Sequence, residues 1–309
     1  MELKLSHSQL NAFRKCPKMY WWRYVYGIEP IREPDSFVIG GLLHQVQQAY
    51  YALKSTRAEA LFKSWEILNP IIDGTAPDEQ ENWMIMAQTA MAMFEFMPDW
   101  MLDPQDRTTV EKHFETTIFK TDNDRISYQG YIDRVVGNSM VRELKTTINP
   151  DMFIRYASVS PQVTGYVLGC QNELKLKING VTFDLIRKPL LRKKQNEDTA
   201  SFCNRIREDY RTRPDFYYRR EHTYRSPKQI KQFEIDLKAI GIDILGKLKV
   251  CETNKEVGAE LFWRNHEACF SRGECPYHKI CFNKDKMTEQ IFYKSTKHTN
   301  NHDVAEDVE

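Results

Sequence analysis

The chain has 309 residues, 41% apolar and 28% charged, which excludes both a disordered and a membrane-embedded composition. Its 44 Lys and Arg nearly balance 43 Asp and Glu for a net charge of +1, so charge alone neither requires nor excludes a polyanionic partner. No apolar run approaches the roughly 18 residues of a spanning helix, and the Met-Glu-Leu-Lys-Leu-Ser start has no apolar signal core, so neither membrane insertion nor secretion is expected.

Residues 6–26 read as a helix entered through a capping box, Ser6 with Gln9, and interrupted at Cys16-Pro17. Residues 40–54 read as a second helix with Leu43, Val46, Tyr50 and Leu53 as its apolar stripe. Residues 56–104 read as helical; six of the eleven Met lie between 84 and 101, which points to an adaptable core. Strands are expected at 110–120, 126–136, 140–146 and 178–187, with a helix near 161–173 that takes Ser160 as N-cap and Pro161 as first position. Strands in a row, then helix, then strand predict an α/β fold with a mixed sheet. Residues 192–250 read as polar and largely helical, and the tail after about 286 as disordered or weakly ordered.

The segment YQGYIDRVVGNSMVRELKTT (128–147) carries the chemistry. Alternation along a strand puts Glu143 and Lys145 on one face and Leu144 on the other. If Gly137-Asn138-Ser139 is a three-residue hairpin loop, Val135 faces Val141, Ile132 faces Leu144 and Asp133 faces Glu143, with Cβ atoms about 4.5–5.5 Å apart. A two-residue loop would send the two acids to opposite faces. Opposed carboxylates repel, and a divalent cation between them removes the repulsion. Mg²⁺ takes one or two carboxylates and completes its shell with waters and substrate phosphate. Beside it, Lys145 would orient or deprotonate a water and neutralise charge on a phosphate. The same spacing also suits an ordinary solvated hairpin.

Read together, these segments resemble the PD-(D/E)XK nuclease superfamily. The resemblance is to the branch shared by RecB-like nuclease domains and CRISPR-associated or phage-encoded exonucleases with an iron–sulfur cluster. LSHSQLNAFRKCPKMYWWRYVYGI near the start, GGLLHQ (40–45), GYIDRV (130–135), RELKTT (142–147), PQVTGY (161–166) and the C-terminal cysteines follow that family's order. The resemblance implies a restriction-endonuclease-like core, a mixed β-sheet flanked by helices, with helical insertions and a C-terminal Fe–S segment. It implies that His44, Asp133, Glu143 and the Leu144 carbonyl hold Mg²⁺ or Mn²⁺, and that Asp133, Glu143 and Lys145 are catalytic. Imidazole in the set favours Mn²⁺. Gln162 and Tyr166, one helical turn apart, would contact substrate or position the site. Glu111 falls where the family often has a Glu ahead of the first strand, and reads as structural.

The seven cysteines are 16, 170, 203, 251, 269, 275 and 281, an odd number that argues for a reducing compartment, the cytoplasm, rather than a disulfide framework. The resemblance implies that Cys16, Cys269, Cys275 and Cys281 hold a [4Fe–4S] cluster. The C-x5-C-x5-C spacing departs from the tighter first spacing common in that branch. Zn²⁺ on four thiolates, or with His278 replacing one, is the alternative, as is no metal. Bound metal would staple the N-terminal helix to the C-terminal segment. Cys170, Cys203 and Cys251 read as buried, unreactive thiols.

For nucleic acid, RKPLLRKK (187–194) carries five cations. Residues 205–228 set Arg205, Arg207, Arg211, Arg213, Arg219, Arg220, Arg225 and Lys228 among Tyr210, Phe216, Tyr217, Tyr218 and Tyr224, a composition that suits a single strand. Glu208, Asp209, Asp215 and Glu221 in the same run also suit a solvated helical face. The aromatics of 20–26 read either as bases' stacking partners or as core.

The expectation is one nuclease domain over 1–286, with a helical insertion at about 55–105, a core at about 106–190, a helical region at about 192–250, and a cysteine cluster at 269–281 closing onto Cys16. The resemblance implies a metal-dependent DNA exonuclease acting on single-stranded DNA or free ends in recombination, repair or phage DNA metabolism, in a bacterial cell or phage-infected host. Recombination or repair proteins are its expected partners. The alternatives are a non-catalytic DNA-binding or assembly subunit that keeps the fold and cluster, and a ribonuclease.

Overall fold

The computed structural model describes residues 1–31, 35–271, 273–282, 288 and 293–295, with 35–37, 294 and 295 described by backbone alone. The disordered tail expected after about 286 lies largely outside the described residues. In chain order the strands are β1 (Glu2–Leu5), β2 (Ile28–Pro30), β3 (Thr108–Lys120), β4 (Arg125–Val136), β5 (Met140–Thr147), β6 (Gly180–Arg187), β7 (Tyr218–Tyr224) and β8 (Tyr293–Ser295). The chain divides into two compact units. One comprises Met1–Glu33, Thr117–Gln129 and Glu234–Glu309; the other comprises Pro34–Thr116 and Gly130–Phe233. Strands β3 and β4 and the helix Pro227–Thr253 each run from one unit into the other.

In the first unit, Ser6 caps the helix His7–Lys15 through a complete capping box with Gln9, and the helix ends at Cys16. Pro17 opens a new helical turn, which runs on as the π-helix Trp21–Tyr26. Tyr20, Trp21 and Trp22 are buried, so this aromatic run belongs to the core. Strand β1 pairs in parallel with Arg125–Tyr128, and β2 pairs antiparallel with β8.

In the second unit, β5 runs antiparallel to the end of β4 and parallel to β6, and β6 runs antiparallel to β7. This is a mixed sheet, with the helices Pro150–Ala157 and Pro161–Asn172 packed on β6 and the helix Asp35–Ala52 packed on β5. Gly-Val-Thr-Phe-Asp-Leu-Ile of β6 is buried throughout, as a strand covered on both faces must be. The core gathers Leu43, Val46, Met93, Phe94, Met97, Met101, Leu144 and Ile186, so the methionine-rich helices fill the interior as expected.

Four sequence expectations change. The helix expected from 40 begins at Asp35, and Leu53, beyond its end at Ala52, is exposed rather than part of the stripe. Residues 218–224, expected to be helical, form strand β7, because pairing with β6 outweighs their polar composition. Ser160 stands at the N-cap but its side chain makes no capping bond; its carbonyl accepts from Arg225 instead. The helix Pro150–Ala157, capped by Asn149, was not expected at all.

Candidate active site

The hairpin has the three-residue loop. Arg134 pairs with Arg142, Val135 with Val141 and Val136 with Met140, around Gly137-Asn138-Ser139. Gly137 supplies the positive φ of 59° that the turn requires. This register brings Asp133 and the Glu143–Lys145 pair together. Asp133 Oδ2 accepts a hydrogen bond of 2.9 Å from the Leu144 N–H, and lies 3.5 Å from His44 Nδ1. Lys145 forms an ion pair with Glu143 Oε1. Gln162 Nε2 donates to the same Oε1 at 3.1 Å and to the Tyr166 hydroxyl at 2.8 Å.

His44 comes from the helix Asp35–Ala52, and Gln162 and Tyr166 come from the helix Pro161–Asn172. Its neighbour Leu43 is fully buried, which fixes the face His44 presents. Tyr166 is itself buried, with its ring edge-on to Phe114. Gly169 is what lets Phe114 in: a Cβ there would stand 2.2 Å from the Phe114 ring.

The electrostatics are those of crowded acids. Burial, then the charge of Asp133, pushes the Glu143 carboxyl up to about 7. Burial also raises Asp133, against the pull of Lys145. For Lys145 burial acts downward, but Glu143 and Asp133 outweigh it, and the ammonium is held above its ordinary value. Burial and Lys145 lower His44 to about 4, which leaves a neutral imidazole near pH 7. Desolvation and the two acids push Glu111 up to about 7. Glu111 adopts a left-handed φ of 49° in β3, an uncommon conformation for a residue with a Cβ. Sequence reading took Glu111 as structural; nothing in its local spacing marks a residue that joins the acids.

Only 1% of Glu143 is exposed, and its Oε2 has no hydrogen-bond partner among the described residues. A buried acceptor left in that state costs about 1–3 kcal/mol. Among the described residues no three His, Cys, Asp or Glu side chains stand close enough to cage a metal ion alone. The donor set fits the other mode of binding: hard carboxylate oxygens, one unpartnered, for a cation that keeps waters.

Behind the hairpin lies a buried charge network that sequence reading missed. Arg134 and Arg142, directly opposed on β4 and β5, would repel each other without counter-ions. Arg134, fully buried, donates to Asp103 Oδ2 and the Tyr51 hydroxyl at 2.9 Å each and pairs with Asp184. Arg142 reaches Asp103 at 3.2 Å, and Arg220 reaches Asp184 at 2.6 Å. The side chains alternate, so the acids and Lys145 take one face and these arginines the other.

The basic run is committed elsewhere. Arg205 pairs with Glu197, Arg207 with Glu95, Arg211 with Glu208, Arg213 with Asp209, Arg219 with Asp151, and Arg220 with Asp184. Arg225 is buried and donates to Thr164, Ala157 and Ser160. Tyr210, Tyr217 and Tyr218 are core residues. Of the rings expected to stack over 205–228 these three are closed to bases, whereas Tyr224 is 65% exposed and the paired Arg211, Arg213 and Arg219 remain at the surface. In 187–194, Arg187 stacks on Phe216 at 4.3 Å and Lys193 pairs with Glu81.

In the first unit, Cys16, Cys269, Cys275 and Cys281 line one cavity, with His278 beside them. The Asn265 N–H donates to Cys16 Sγ at 3.3 Å, and the Trp22 indole N–H to Cys281 Sγ at 3.1 Å. Burial raises the Cys275 and Cys281 thiols, and Cys16 adds to both. Two of the four thiols on the cavity thus receive N–H donors. His278 Nδ1 is 3.2 Å from Glu274. Cys170 and Cys203 are buried and Cys251 is half-buried; burial pushes Cys170 up to about 12.

No helix among the described residues is long and apolar enough to cross a membrane. A search of curated proteins finds no match. Eight chains of solved structures match. One of them, a protein from Eubacterium rectale provisionally described as an exonuclease, is 10% identical, with a TM-score of 0.42 over 99% of this chain and 94% of that one. The sequence model of the PD-(D/E)XK nuclease superfamily matches residues 4–282, which takes in the hairpin, the helix after it and all four clustered cysteines. Members of that superfamily generally use Mg²⁺ or Mn²⁺. The chain belongs to the PD-(D/E)XK nuclease superfamily.

Proposed function

We propose that this protein is a metal-dependent DNA exonuclease that hydrolyses phosphodiester bonds of single strands or duplex ends. The observation that carries the reading is the meeting of Asp133, Glu143 and Lys145 on one face of the β4–β5 hairpin, with Glu143 Oε2 left without a hydrogen-bond partner among the described residues. Asp133, Glu143, the Leu144 carbonyl and the neutral His44 imidazole would hold Mg²⁺ or Mn²⁺. When bound, the ion polarises a phosphoryl oxygen and acidifies a water. Gln162 fixes the Glu143 carboxylate, and Tyr166 fixes Gln162. Lys145, kept cationic by the acids, orients the attacking water and neutralises charge growing on the phosphate. Water attacks phosphorus, the P–O bond to the leaving oxygen breaks, and no covalent intermediate forms.

The four cavity cysteines would hold a [4Fe–4S] cluster as a structural staple within their unit. Residues 1–286 would act as one nuclease domain, in keeping with a family match over 4–282. The setting would be recombination, repair or phage DNA metabolism in the cytoplasm. The test is Mg²⁺- or Mn²⁺-dependent degradation of a labelled oligonucleotide. DNA binding without metal-dependent cleavage would instead identify a non-catalytic subunit, and equal cleavage of RNA would widen the substrate class.

A further inference from the structure

Resting on that nuclease reading, we propose that Ile148, Met152, Tyr156 and Val159 form a ridge on which unpaired bases of the substrate strand stack beside the scissile phosphate. Met152 and Tyr156 lie one turn apart on the helix Pro150–Ala157, and Ile148 and Val159 flank its two ends. All four are left in solvent, 62%, 66%, 46% and 72% exposed. The opposite face is anchored: Ala157 is buried and the Phe153 ring meets Phe183 edge-on at 5.0 Å. The ends are tied as well. Asn149 Oδ1 accepts from the Met152 N–H at 3.0 Å, Asp151 pairs with Arg219 at 2.7 Å, and Arg225 donates to the Ala157 carbonyl at 2.7 Å. The helix therefore needs nothing from its outer stripe to stay in place, and presents it rigidly.

The stripe adjoins the chemistry. Ile148 follows Lys145 by three residues of extended chain, about 10 Å. Tyr156 also contributes to the electrostatics of Lys145. A strand whose phosphate sits at Lys145 has this ground beside it. An aromatic and a thioether beside a cation suit stacked bases, which contribute irrespective of sequence. In the basic run over 205–228, Tyr210, Tyr217 and Tyr218 are buried, so it offers few rings on which bases could stack.

The test compares the full-length protein with a Met152→Ser, Tyr156→Ser variant. Each is titrated, in EDTA so that cleavage is silent, against fluorescent oligothymidine and against an abasic strand of the same length. The ridge predicts oligothymidine binding weakened about tenfold or more in the variant, and abasic-strand binding that is equal in the two proteins. Equal oligothymidine binding overturns the proposal. So does a loss that is as large on the abasic strand, or a wild-type dimer that the variant breaks. Mn²⁺-dependent hydrolysis of bis(p-nitrophenyl) phosphate, which has no base to stack, is read separately. Its absence in the wild type would count against the nuclease reading alone.

Discussion

Gln162 Nε2 donates a hydrogen bond of 3.1 Å to Glu143 Oε1, and the same nitrogen donates to the Tyr166 hydroxyl at 2.8 Å. A helix residue thus sets the rotation of a carboxylate on the sheet, whose other oxygen has no hydrogen-bond partner among the described residues. Groups that orient metal-binding carboxylates typically matter by about 10–100-fold in metal affinity or activity. Gln162→Leu is therefore expected to raise the Mn²⁺ concentration for half-maximal cleavage by about that factor. A metal titration of oligonucleotide cleavage checks it, and an unchanged midpoint would contradict it.

Asp184 is fully buried and serves both Arg134 and Arg220. Removing one member of a buried ion network strands the others. Asp184→Asn is expected to destabilise the fold by about 3–5 kcal/mol, measured as a shift in urea denaturation. A loss below about 1 kcal/mol would mean that water already reaches the network.

The crowded acids give a pH dependence with a definite sign. Folding raises the Glu143 carboxyl from its ordinary value to about 7, so the fold favours the protonated form. That contribution is fully present below the unfolded value and is lost as pH rises through about 7. Asp133 is raised too and acts in the same direction. Metal-free Glu143→Gln protein should accordingly gain in Tm relative to wild type between pH 5 and 8, and added Mn²⁺ should stabilise the wild type more at pH 8 than at pH 6. Parallel Tm curves for the two proteins would contradict this.

What the sequence revealed was local and periodic. Alternation along 128–147 and the three residues between its strands were enough to pair Val135 with Val141 and to bring Asp133 to Glu143. The capping box at Ser6 and the break at Cys16-Pro17 were legible for the same reason. What escaped depended on tertiary partners. Arg134 and Arg142 look like surface charges until Asp103 and Asp184 arrive from other elements. Residues 218–224 look helical until β6 pairs with them. Glu111 feels the charge of Asp133 and Glu143 and takes a left-handed backbone, neither of which composition announces.

The cysteines separate cleanly into two groups. Cys275→Ser should lose iron and the broad visible absorption expected of the anaerobically purified protein, whereas Cys170→Ser, with its buried thiol away from the shared cavity, should keep both. Metal analysis with an absorption spectrum checks it. Zinc in a colourless protein would contradict the cluster and leave the hairpin site untouched.

Asp133, Glu143 and Lys145 are expected to act together on a phosphodiester through a divalent ion. The direct measurement is release of nucleotides from an end-labelled single strand with and without Mn²⁺, by the wild type, Glu143→Ala and Lys145→Ala. Cleavage is expected only from the wild type with metal, with losses of at least about 10²-fold in both variants while their circular dichroism is retained. Undiminished cleavage by either folded variant, or none by the metal-loaded wild type, would contradict it.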